Sequence, residues 1–178
     1  MKEKLSNINL VYKPVLLSLG SNIGDKQQFL ELAIESIALN NSFHNVQVSS
    51  MYETEPIGFT EQDSFLNIAL CTWTLLSPME VFTVCKDIEK KLGRTKRQQW
   101  REREIDIDIA LFGDEILQSE ILTIPHIAMH DRKFVLVPSA EIAPHLVHPI
   151  FKKTIQELYK ECSDIASVIR VGELRLPM

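Results

Sequence analysis

The chain has 178 residues, 45% hydrophobic and 24% charged, with a formal net charge of −5. That length fills one core and is short for two, and the balance of residue types is ordinary for a soluble globular domain. The acidic balance excludes a general nucleic-acid binder; no apolar run is long enough to cross a bilayer, so no membrane partner is expected.

Cys71, Cys85 and Cys162 are widely spaced and form no C-x-x-C pair, which suggests neither a zinc ribbon nor a disulfide framework. The first fourteen residues carry charges but lack the continuous apolar core of a signal peptide. Reduced thiols and a cytoplasmic address are therefore expected.

Residues 1–13 read as a loose leader. Pro14 to Leu19 is a short buried strand, closed by Gly20-Ser21-Asn22-Ile23-Gly24-Asp25. This turn follows a strand and opens a helix, so it could hold an anion; a structural turn capped by Ser or Asp explains it equally well. Phe29, Leu30, Ala33, Ile34 and Ile37 then recur at helical spacing between Gln27 and Leu39. Val46 to Met51 alternates as one strand, and Glu55-Pro56-Ile57-Gly58 ends it. Phe65 to Leu75 is a further strand, rich in β-branched and aromatic residues.

Ser77-Pro78-Met79-Glu80 has the form of a capping box with proline at the first helical position. Val81, Val84, Cys85, Ile88 and Leu92 form the stripe that follows, and Gly93 supplies the stop. Residues 94–103 have no usable periodicity and read as an exposed loop before a strand from Ile105 to Phe112. Gly113-Asp114 turns the chain into a short segment, 115–117. Thr123-Ile124-Pro125-His126 reads as a partly buried loop, Phe134 to Pro138 as a last central strand, and residues 154–162 as a modest helix. No repeat, low-complexity tract or linker divides the chain. One domain over residues 1–178 is expected, of α+β class with a mainly antiparallel sheet.

The strand after the loop carries the chemistry. Side chains alternate along a strand, so Asp106 and Asp108 share one face while Ile105, Ile107 and Ile109 share the other. Two residues span roughly 6.6 Å, close enough for both carboxylates to lean on a common centre. A slip of one residue would bury both charges, so the isoleucines set the register. A solvated polar face is the plain alternative, but aspartate is a poor strand former and occurs there twice. Just upstream, Arg94, Lys96, Arg97, Arg101 and Arg103 concentrate cations in an otherwise acidic chain. Guanidinium forks suit phosphate oxygens, and a carboxylate pair suits magnesium completed by substrate phosphates. Together these point to phosphoryl-type chemistry. No G-x-x-x-x-G-K-[ST] is present, so this is not a P-loop enzyme.

Seven stretches then match a known family in order and spacing. They are "LSLGSNIGD" (17–25), "YETEPIG" (52–58), "DSFLNIAL" (63–70), "IEKKLGR" (88–94), "REIDIDIALFGDEI" (103–116), "IPHIAMHDRKFVLVP" (124–138) and "AEIAPHLVHP" (140–149). From Val15 to about Pro149 the chain resembles the 6-hydroxymethyl-7,8-dihydropterin pyrophosphokinases of folate biosynthesis. The resemblance implies a three-layer αβα ferredoxin-like fold. It also implies transfer of pyrophosphate from ATP to the hydroxymethyl group of the pterin, with release of AMP. Asp106 and Asp108 would coordinate two Mg²⁺ around the triphosphate, and Arg94 and Arg103 would act on the phosphates. Phe65 and Phe134 would sandwich the pterin, Asn67 would read its polar edge, and Thr54 and Ile57 would add contacts. Glu89, Trp100, Ile109, Thr123, His126 and Arg132 would line the nucleotide side. ATP and the pterin are the implied partners, and a monomer is expected.

Some positions depart from the family pattern. A Trp-Gly-Pro-Arg-Thr run is here Trp100-Arg101-Glu102-Arg103-Glu104, an aromatic gives way to Ile127, and nucleotide contacts become Lys86 and Ile121. The loops at 55–63 and 94–103 are expected to close over bound nucleotide and exclude water. The rival readings are a two-metal nuclease or nucleotidyltransferase, which needs a basic track for a polymer, and a non-catalytic ferredoxin-like binding module.

Overall fold

A computed structural model describes residues 11–55, 62–94 and 102–174. In chain order its elements are β1 (Lys13–Ser21), α1 (Lys26–Ala38), β2 (Phe43–Val48), β3 (Met51–Thr54), β4 (Phe65–Thr74), α2 (Pro78–Lys91) and β5 (Asp106–Phe112). They continue with β6 (Leu117–Gln118), β7 (Thr123–Ile124), a 3-10 turn at Met129–Asp131, α3 (Lys133–Ile142), β8 (Val147–His148), β9 (Lys153–Thr154), α4 (Ile155–Glu161) and β10 (Val168–Gly172). The main sheet runs β10-β3-β4-β1-β5, with β2 beside the far end of β4. Its pairings are all antiparallel. No helix among the described residues is long and apolar enough to cross a membrane.

The sheet is buried on both faces, which gives the three-layer α+β architecture. Leu17, Leu19, Ile68, Leu70, Ile107 and Ile109 pack against Leu30, Ile34 and Ile37 of α1 and Val81, Cys85 and Ile88 of α2. On the opposite face Leu16, Ala69, Cys71, Ala110 and Leu111 meet Val135 and Leu136 of α3 and Ile155 and Leu158 of α4. Each such aliphatic side chain contributes about 1.5–3 kcal/mol on burial. A one-residue slip of β5 would exchange Ile107 and Ile109 for two aspartates, so the register is strongly held.

Helix ends follow local chemistry. Asp25 accepts from the Gln28 N–H at the start of α1. Ser77 and Glu80 form the expected capping box on α2, and Thr154 with Glu157 forms a second one on α4.

Two expectations fail. Phe134 to Pro138 is not a central strand but the interior of α3. A short apolar run cannot distinguish a buried strand from a buried helix by periodicity. Here Val135, Leu136 and Ser139 are buried against the second core, and α3 continues through Pro138 despite the lost donor. The single strand over Val46 to Met51 is divided into β2 and β3, with Ser49 and Ser50 between them. Ser49 supplies the break by using its hydroxyl as an acceptor for the Ala69 N–H at 2.9 Å, while its own N–H donates to the Ala69 carbonyl at 3.0 Å. The leader gives up Lys13 to β1, and Val168–Gly172, beyond the family match, forms β10 and extends the sheet beside β3.

Candidate active site

The central strands carry apolar residues under α3 and α4, then become polar towards one end. Along β1 the face changes from Leu16 to Ser18 and Gly20, along β4 from Ala69 to Asn67 and Phe65, and along β5 from Ala110 to Asp108 and Asp106. Antiparallel pairing places Ser18 opposite Asp108, and Gly20 opposite both Asp106 and Asn67. A cleft of about 380 Å³ opens over this end. Its walls include Thr54, Gln62, Phe65, Asn67, Arg103, Asp106, Asp108, His126, Arg132 and Phe134.

The floor needs a glycine. A Cβ on Gly20 would lie 2.7 Å from Asn67 Oδ1 and 3.7 Å from the Phe65 ring. Asn67 is buried and donates through Nδ2 to Thr54 Oγ1 at 2.7 Å. Its carbonyl edge therefore lies over the glycine, between Thr54 and the phenylalanine. Phe134 enters from the first turn of α3, with the Arg132 guanidinium 5.8 Å from its ring centre. This side of the cleft is aromatic, with the Asn67 amide and Thr54 hydroxyl joined beneath it and Glu55 and Arg132 as its charged lining groups.

The other side is ionic. Arg94 donates to Asp106 Oδ1 at 2.7 Å, and Arg103 pairs with Asp106 Oδ2. Glu89, on α2, has a side chain only 3% exposed. It accepts from the Ile107 N–H at 2.7 Å and from Lys86 at 2.7 Å, and it pairs with Arg94. Lys86 also reaches the Ile107 carbonyl at 3.3 Å and lies 4.0 Å from Asp108. Three carboxylates thus face three cations.

The two aspartates are not equivalent. Asp106 is 14% exposed and both its oxygens are engaged by guanidinium groups. Asp108 is 47% exposed, though recessed among protein groups on β5. Desolvation, followed by repulsion from Asp106, pushes its carboxyl up to about 6 against the opposing pull of Lys86, Arg94 and Arg103. Solvent access and desolvation point in different directions here. Solvent, and hence an ion, can reach the carboxylate, while the crowding around it sets the sign of its shift.

This crowding fits a divalent cation, which would relieve the repulsion. Among the described residues no group of three or more His, Cys, Asp or Glu gathers as a metal site. A two-carboxylate site suits magnesium, which takes its remaining ligands from water and phosphate.

His126 hangs from β5 by its backbone N–H, which donates to the Ala110 carbonyl at 3.0 Å. Its Nδ1 accepts from the Ala128 N–H at 3.3 Å. Burial, then Arg132, holds its pKa below the ordinary histidine value. The neutral ring therefore keeps Nε2–H as a donor near the cleft.

Comparison with known proteins settles the family. Residues 16–144 match the family model described as 7,8-dihydro-6-hydroxymethylpterin-pyrophosphokinase (HPPK). The chain belongs to the HPPK family. Among similar HPPK relatives, the 2-amino-4-hydroxy-6-hydroxymethyldihydropteridine pyrophosphokinase of Aquifex aeolicus is 40% identical over 147 residues, covering 83% of this chain and 91% of the relative. The enzyme of that name from Haemophilus influenzae is 40% identical over 148 residues, covering 83% and 92%. A crystal structure of Plasmodium falciparum HPPK-DHPS with pteroate superposes with a TM-score of 0.66 at 17% identity, covering 89% of this chain. This chain spans 45% of that longer one, and the likeness at such low identity concerns the HPPK fold alone.

Several residues named from the sequence converge on the cleft: Thr54, Phe65, Asn67, Arg103, Asp106, Asp108, His126, Arg132 and Phe134. Arg94 joins them through Asp106. Ile109 does not reach the cleft by its side chain, because it is 4% exposed and faces the α1/α2 core. Glu89 is spent on protein donors, and Thr123 lies on β7 away from the walls. Ile57 and Trp100 lie outside the described residues, as do most of the loops expected to close. Ser18, Gly20 and Gln62 also line the cleft without having been expected there, Gly20 having been read only as part of a possible anion-holding turn. The alternation Leu17-Ser18-Leu19-Gly20 was the available signal for the first two, since it repeats the one-sided polarity of β5.

Proposed function

We propose that the cleft transfers the pyrophosphoryl group of ATP to the hydroxymethyl group of 6-hydroxymethyl-7,8-dihydropterin, releasing AMP and the pterin diphosphate for folate synthesis. The observation that carries this reading is the juxtaposition, within one cleft, of the Asp106–Asp108 face with an aromatic slot. Membership of the HPPK family supports the same reaction.

The pterin lies between Phe65 and Phe134, with its amide-like edge against Asn67 and Thr54; apolar faces with in-plane hydrogen bonds suit a flat heterobicycle. Arg94 and Arg103 turn their free N–H groups to the triphosphate, and His126 and Arg132 add donors from the opposite wall. Two magnesium ions held by Asp106 and Asp108 would neutralise the triphosphate and spread the charge that develops on transfer. The hydroxyl oxygen attacks the β-phosphorus in line as the bond to the AMP oxygen breaks, and the hydroxyl proton passes late to the Asp108 carboxylate. Such a step depends on positioning and charge stabilisation more than on a strong base.

The chain acts as a single pyrophosphokinase domain and as a monomer in this reading. β10, from the C-terminal region, completes the sheet begun by β1, which favours one unit. Among the described residues Lys86, Arg94 and Arg103 are matched with carboxylates beside the cleft, which disfavours a polymer-processing enzyme, since that needs an open basic track. The test is AMP release from ATP. Release that requires hydroxymethyl-dihydropterin and magnesium is expected; release indifferent to the pterin would refute the assignment.

A further inference from the structure

Asn22 follows β1 directly, is only 1% exposed, and is not part of the cleft wall. Its amide is spent on two other segments. The Asn22 N–H donates to the Arg103 carbonyl at 3.1 Å, and Asn22 Oδ1 accepts from the Arg103 N–H at 2.8 Å. The pair holds Arg103 much as a strand rung would. On its other edge Nδ2 donates to Gln62 Oε1 at 3.1 Å and to the Asp63 carbonyl at 3.4 Å.

Those two segments serve different halves of the cleft. Arg103 is paired with Asp106 on the ionic side. Residues 62 and 63 lead into Phe65 on the aromatic side, and Lys26 pins the next carbonyl, that of Ser64, at 2.9 Å. If either segment moved without the other, a buried donor or acceptor of Asn22 would lose its partner. The pair therefore moves together or stays.

We propose that Asn22 is a positioning residue that couples the two substrates, so that phosphates drawing on Arg103 also set residues 62–65 against the pterin. The proposal rests on the pyrophosphokinase reading. It gives the Gly20–Asp25 turn a role other than anion binding.

The test is calorimetry on the full chain, measuring pterin affinity with and without a non-hydrolysable ATP analogue and magnesium. In the unaltered protein the nucleotide is expected to raise pterin affinity. In Asn22→Ala the affinity for each ligand alone stays within about two-fold, while the coupling factor falls about five-fold or more towards one. Asn22→Asp keeps an acceptor for the Arg103 N–H and loses the donors to 62 and 63; it should show the same loss, and it supplies the measurement should the alanine variant not fold. A merely structural role would lower the thermal midpoint without touching the coupling factor. An unchanged coupling factor in the folded variants overturns the proposal, as does independent binding of the two ligands to the unaltered protein. An unaltered protein that binds neither ligand defeats the pyrophosphokinase reading instead.

Discussion

The two sides of the cleft achieve order by opposite means. On the ionic side, Asp106, Asp108 and Glu89 face Lys86, Arg94 and Arg103, and geometry is held by charge on charge around one strand. On the aromatic side, Thr54, Phe65, Asn67 and Phe134 are neutral, and geometry is held by packing, one amide–hydroxyl bond and a glycine floor. A charged network can rearrange when a stronger ligand arrives, because each guanidinium can exchange a carboxylate for a phosphate. A packed slot cannot do so without opening a void. The contrast suits a flexible polyphosphate on one side and a rigid bicycle on the other.

The largest test of that division is Asp106→Ala. It should lower turnover by about 10³-fold or more while pterin affinity changes less than about two-fold; equal losses in AMP release and pterin calorimetry would erase the distinction. Next comes Glu89→Ala, which leaves the Ile107 N–H, Lys86 and Arg94 without their buried acceptor. Urea unfolding should show a loss of about 3 kcal/mol, and a negligible change would mean the ionic side does not depend on Glu89. Phe134→Ala should weaken pterin binding by about ten-fold or more with nucleotide affinity nearly unchanged. A matching loss for nucleotide would show that the aromatic side is shared.

The smallest effect concerns pH. The Asp108 carboxyl titrates at about 6 in the folded chain, above the unfolded value of about 3.9. The folded state therefore binds the extra proton between these values, and ionising Asp108 costs stability as pH rises through that window. Asp108→Asn removes this cost. Its thermal midpoint should exceed that of the unaltered chain by a few degrees at most at pH 8, and the advantage should vanish as pH falls towards 4. An advantage that grows in acid would reverse the assigned sign.

Legibility in the sequence followed the range of the interaction. Asp106 and Asp108 were readable because a strand period is local and their isoleucine neighbours betray the buried face. The capping box at Ser77 and Glu80 was readable for the same reason. Family resemblance assigns Phe134 to the pterin, but its helix is not legible locally, since a run such as Phe134 to Pro138 suits either a buried strand or a buried helix. Glu89 matched a nucleotide-side position, yet its partners Ile107 and Lys86 come together only when α2 packs on β5.

By itself the sequence determined the class of fold, the face on which the acidic pair stands and, through its ordered motifs, the family. Those properties depend on periodicity and on residue order along the chain. Tertiary structure alone decided that Arg94 and Arg103 converge on one aspartate, that Asp108 remains the more open of the pair, and that Asn22 ties residues 62–63 to residue 103. Each of these depends on groups distant in sequence whose separation is set by sheet pairing and packing, and no local pattern encodes that distance.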